Sequence, residues 1–124
     1  MQNPVQNTAG LAVNFAELLE RVENDHELLW DLLTIFKRDF PRHRDSLREA
    51  IARAEMKQVE SSSHTLKGMF SNLAMTRAAA AAAHLEQLGR NRERAGLEDA
   101  LAHLEHELAS LLPELDAYLK EARR

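Results

Sequence analysis

The chain has 124 residues, no cysteine, and 20 acidic against 16 basic residues, for a formal charge of −4. That length fits one compact domain, and the missing cysteine excludes disulfides and thiolate chemistry. A net acidic chain lacks the basic footprint of a nucleic-acid binder, and 44% apolar with 29% charged residues is the make-up of a globular rather than a disordered chain.

Met1 to Gly10 has neither a basic nor an apolar region of the kind that directs secretion. The apolar stretch from Leu28 to Phe36 is interrupted by Asp31 and Thr34, far short of the ~20 residues that span a bilayer. The expectation is a cytoplasmic protein with a flexible lead-in over 1–10 and a single domain over 11–124. Four glycines and three prolines amid abundant Ala, Leu, Glu and Arg make a helix-forming composition, with no alternating run that offers a strand.

Asn14 and Glu17 have capping-box spacing and open a short helix carrying Phe15, Leu18, Leu19 and Val22. Asn24-Asp25 caps a second helix over His26 to Phe40, with Leu28, Leu29, Leu32, Leu33, Ile35 and Phe36 at helical spacing. Pro41 interrupts the backbone ladder. The pattern then resumes through Leu47, Ile51 and Ala54, so 26–54 reads as one kinked helix or two. A third helix runs from Lys57 to Leu73, and a fourth from Thr76 to Leu88, closed by Gly89 as the residue after the C-cap. The last starts near Gly96, carries Leu97, Leu101, Leu104, Leu108, Leu111, Leu115 and Leu119, and is bent at Pro113. The six alanines from Ala78 to Ala83 read as a closely packing helix face. The expected fold is all-α, an antiparallel four-helix bundle with a short additional N-terminal helix.

The third helix carries more than bundle-building requires. At 100° per residue, Val59, Leu66, Phe70 and Leu73 fall within roughly 20–40° of one direction, which is the core face. His64 then lies about 160° away, Gly68 about 200°, Ser71 about 140° and Lys67 about 100°. His64 therefore faces solvent instead of packing in the interior. Gly68 sits mid-helix one turn later on the same face, where it costs about 1 kcal/mol relative to alanine. Such a glycine either lets two helices approach or clears space beside the imidazole for another molecule. Lys67 puts an ammonium within reach of the ring. An imidazole is largely neutral and nucleophilic at cytoplasmic pH, so the set suits an incoming phosphoryl group.

The run Ser63-His64-Thr65-Leu66-Lys67-Gly68, followed by Asn72-Leu73 and Leu85-Glu86, resembles the histidine-containing phosphotransfer (HPt) domain of two-component phosphorelays. The likeness extends from about Phe15 to Leu119. The family pattern is approximately A-H-x-L-K-G with a small residue or glycine ten positions after the histidine. Here Ser63 stands in place of the alanine and Ala74 at the tenth position. The resemblance implies His64 as phosphoacceptor, Lys67 as the group that accommodates phosphoryl charge, and Gly68 as clearance. It implies exchange with the aspartate of a response-regulator receiver domain, downstream of a sensor histidine kinase, with Mg²⁺ on the receiver and no cofactor on this chain. Ser71 and Met75 are expected to contribute to docking, and a monomer is expected because the His64 face must stay accessible. With no glycine-rich phosphate loop, the chain is expected to carry phosphoryl groups without an ATP site. It would do so as a separate phosphotransfer protein or as one domain of a hybrid kinase.

Two other functions fit the same pattern: a non-catalytic helical adaptor, and the phosphoacceptor domain of a chemotaxis-type kinase, which shares H-x-x-K-G. The leucine after Thr65 and the lack of an appended domain favour the receiver-coupled type. His103, His106 and Glu107 have spacing that a divalent metal can use, but nothing completes a ligand set and no metal is expected. His26, His43 and His84 read as structural or simply exposed.

Overall fold

The computed structural model describes residues 12–122, and the lead-in expected over 1–10 lies outside them. Five helices follow in order: α1 (Phe15–Arg21), α2 (His26–Ala52), α3 (Met56–Asn72), α4 (Thr76–Arg90) and α5 (Leu97–Ala122). No strand occurs among the described residues. α2 packs on α3 and α5, and α4 on the same two, so the four long helices close a ring in chain order with α1 against α2. The protein is the expected all-α bundle.

Side-chain caps start the first two helices: Asn14 Oδ1 accepts the Glu17 N–H at 3.0 Å, and Asp25 Oδ1 the Leu28 N–H at 2.9 Å. α2 is one helix and not two, running through Pro41. Burial of Phe36, Phe40 and Leu47 on either side of the proline, about 2 kcal/mol each, outweighs the roughly 3 kcal/mol that an internal proline costs. The Phe36 and Phe40 rings stack at 5.1 Å one turn before it.

The helix ends share a second device. Ala54, Ala74 and Arg92 take left-handed φ values of 53°, 54° and 57°. The following N–H groups then reach back to Ala50, Phe70 and Leu88 carbonyls at 2.9 Å each, a Schellman closure with a non-glycine residue. Gly89 is therefore not the residue after the C-cap, as its position suggested: α4 continues to Arg90 and Arg92 does that work. Gly89 is instead a contact residue. A Cβ there would sit 2.6 Å from the Glu60 backbone nitrogen, so only glycine lets α4 lie this close to α3. Ala78, Ala81 and Ala82 are buried on the same helix.

The short N-terminal element closes one end of the ring. Ala12 and Val13 N–H groups bond to Glu114 at 2.9 and 3.0 Å, and Phe15 stacks on Tyr118 at 4.5 Å. Arg21 donates to the Ser71 and Asn72 carbonyls at 2.9 and 3.1 Å, satisfying acceptors that the end of α3 leaves open.

Candidate functional site

His64 lies in the middle of α3, eight residues from each end. Its side chain is 67% exposed, opposite Val59, Leu66 and Phe70, which are fully buried. The close approach of α3 and α4 brings Glu86 against it. Glu86 is 5% exposed and is the only buried charged residue among those described. Its Oε2 lies 2.8 Å from His64 Nδ1 and 3.1 Å from Arg90, and its Oε1 lies 2.6 Å from Lys67 Nζ. Arg90 continues to Glu60 at 3.1 Å.

The Lys67 ammonium holds the Glu86 carboxyl below its ordinary value of 4.5, with His64 assisting, against the opposing effect of burial. An ionised carboxylate can only accept. Nδ1 of His64 therefore donates, and in the neutral ring the lone pair is left on Nε2. One buried carboxylate thus fixes both the ring's orientation and its tautomer.

Gly68 is exposed, and a Cβ at this position would meet nothing within 4 Å. Close helix packing does not account for it; that role belongs to Gly89. Lys67 is half-buried and points to α4. Ser71 is exposed. Met75 is not on this face: it is 0% exposed, and it caps the start of α4. The wheel fails there because α3 stops at Asn72 and the left-handed Ala74 turns the chain back into the bundle.

The residue that sequence reasoning passed over is Glu86, noted only beside Leu85. A usable signal existed. Glu86 falls on the stripe of Ala78, Ala82, Leu85 and Gly89, all buried, and an acidic side chain on an apolar stripe demands a cationic partner.

A family model for the Hpt domain matches residues 31–121. The chain belongs to the Hpt domain family. No curated protein and no solved structure matches it. Hpt domains serve histidine phosphotransfer in two-component phosphorelays as carriers, with kinases and receiver domains as partners. The match begins inside α2 and ends inside α5, so it takes in His64, Lys67, Gly68 and Glu86 and leaves α1 outside.

Around the imidazole the Hpt domain forms an open trough of about 400 Å³ between α3 and α4, bordered by Lys57, Ser61, His64, Glu86 and Arg90. Glu107, near His103 at 3.6 Å, is held by Arg77 at 3.0 Å. No group of three or more His, Cys, Asp or Glu among the described residues could hold a metal ion. His26 and His84 are exposed and His43 is half-buried. No described helix is long and apolar enough to cross a membrane.

Proposed function

We propose that this Hpt domain accepts a phosphoryl group on Nε2 of His64 and exchanges it with the aspartate of a receiver domain in the cytoplasm. The observation that carries this reading is the 2.8 Å contact from Nδ1 to a buried, ionised Glu86, which in the neutral ring places the lone pair on Nε2. In the forward step the Nε2 lone pair forms the N–P bond while the P–O bond to the aspartate breaks. The bonding pair stays on the leaving carboxylate, and the proton on Nδ1 stays where Glu86 holds it. A Mg²⁺ ion held by the receiver would supply charge neutralisation for the phosphoryl oxygens.

Lys67 sits between two anions once the group arrives. Its bond to Glu86 Oε1 keeps it beside the ring, from where it can also face the phosphoryl oxygens. Gly68 leaves open space one turn along, so a partner's backbone can close on the imidazole. Docking extends from Gly68 and Ser71 to α2, where Leu28 and Ile35, 43% and 44% exposed, are the large hydrophobic side chains left uncovered among the described residues. The Phe36–Phe70 ring contact at 6.0 Å sets the register of the two helices. It puts Ile35 level with the last turn of α3.

The test is label transfer from a receiver domain phosphorylated on its aspartate. Label that is stable in base and labile in acid, present in wild type and absent from a folded His64→Gln variant, is the expected result. Undiminished labelling of His64→Gln overturns the assignment. Receiver binding without any labelling of wild type points to the adaptor function.

A further inference from the structure

At the end of the bundle next to the trough lies a larger open cavity of about 750 Å³. Its charged lining is Lys57, Arg92, Arg94 and Glu55, all exposed. Elsewhere among the described residues most cations are matched, as Arg21 to Glu17, Lys37 to Asp116, Arg48 to Glu105, Arg77 to Glu107 and Arg90 to Glu60. Lys57, Arg92 and Arg94 have no acidic partner within ion-pair distance among the described residues. Three unmatched cations against one acidic residue make a locally positive site on a chain of net charge −4.

This positive site is continuous with the His64 face. Lys57 and Ser61 line both the end cavity and the trough. Lys57 also lies about 180° from Leu66 around α3, on the same outward line as Ser61, His64 and Gly68. It is seven residues before His64, about 10 Å along the axis, which is close to one Debye length at physiological salt. The face is therefore polarised along α3: cations beyond one side of the imidazole, and Gly68, Ser71 and the apolar α2 positions beyond the other.

We propose that Lys57, Arg92 and Arg94 form an electrostatic docking element that engages an acidic surface beside the receiver's phosphorylation site, fixing which way round the receiver sits on α3. The inference rests on the relay function proposed above. Two features select this occupant. The cations continue the surface on which the reacting groups must meet, and the partner's reacting centre is itself a phosphorylated carboxylate, an anion. Charges placed this way act on encounter and orientation more than on the chemical step. None of the three touches His64 or Glu86.

The experiment measures label transfer from a receiver domain phosphorylated by acetyl phosphate, over a range of salt from about 50 mM to about 500 mM. It compares wild type, Lys57→Glu/Arg94→Glu and Lys57→Ala/Arg94→Ala, each checked for helicity by circular dichroism. Arg92 is left in place because its left-handed backbone restricts substitution. The charge-reversed variant is expected to lose about tenfold in kcat/KM at low salt. The alanine variant should fall between it and wild type, and the difference should vanish at high salt. Equal kcat/KM for all three at low salt overturns the docking proposal alone, as does a deficit that persists undiminished at high salt. A wild-type domain that takes no label overturns the relay function and this inference with it.

Discussion

Glu86 is nearly sealed from water, whereas His64, the ring it holds at 2.8 Å, is two-thirds exposed. In the proposed relay function a buried anchor and an exposed nucleophile divide the work between two helices: α4 supplies the fixed reference and α3 presents the reactive atom. Removing the anchor frees the ring to rotate and to exchange tautomers. Glu86→Ala is expected to slow transfer to His64 by about 10²-fold, the scale of a small misplacement at a reacting centre. Glu86→Gln keeps an oxygen that accepts from Nδ1 and should transfer faster than Glu86→Ala. Nitrogen NMR of the imidazole separates this from a purely structural defect: the wild-type ring should hold its proton on Nδ1, and the alanine variant should show a mixture of tautomers.

The same carboxylate predicts an acid limit to stability. Lys67 lowers the Glu86 pKa from 4.5 in the folded state, so in the interval below 4.5 the unfolded chain binds the extra proton first. The stabilisation is complete above that interval and disappears as pH falls through the lowered folded value. Urea unfolding should show no Glu86-dependent change between pH 7 and about 5. Below pH 4.5 the stability of Glu86→Gln should fall less steeply than that of wild type, by up to about 1.4 kcal/mol per pH unit.

Gly68 and Gly89 should respond in opposite ways to the same substitution. Around Gly68 the space is open, so Gly68→Ala gains helix propensity, about 1 kcal/mol, and raises Tm by about 3 °C. It should also slow transfer, and larger side chains should slow it further. At Gly89 the added methyl meets the Glu60 backbone at 2.6 Å. Gly89→Ala should destabilise by about 2 kcal/mol through forced separation of α3 and α4. It should weaken the His64–Glu86 contact as well. Thermal melts and transfer rates on the two variants check both directions.

Ser63, fully buried beside His64 in sequence, has a hydroxyl oxygen without a hydrogen-bond partner. Ser63→Ala removes an uncompensated polar group without leaving a large void. It should stabilise the domain by about 1 kcal/mol in urea unfolding and leave the transfer rate unchanged.

The number and order of helices were legible because their apolar positions recur at a helical period and their starts carry Asn14 and Asp25 as caps. The outward direction of His64 followed from the same arithmetic, since Leu66 and Phe70 fix the core side of α3. What the pattern could not deliver lies where tertiary contact overrides local preference. Pro41 left one kinked helix or two equally open, and burial of Phe36 and Phe40 before it and Leu47 after it holds the helix through it. Gly89 looked like a terminator because glycine usually ends helices, and its function as a contact between α3 and α4 needs both helices in place. Met75 was misplaced because a helical wheel has no knowledge of the turn at Ala74. Glu86 lies 22 residues from His64, and no periodicity within one helix reports a partner on the next.

His64 stands eight residues from either end of α3, and both ends finish in hydrogen-bonded turns. End fraying of α3 does not reach it. In the relay function proposed above, a nucleophile mounted at the midpoint of a stiff rod looks the same to a donor and to an acceptor. The direction of phosphoryl flow is then left to the relative energies of the two partners, and the traffic through this domain is set by how often, and how squarely, they collide with it.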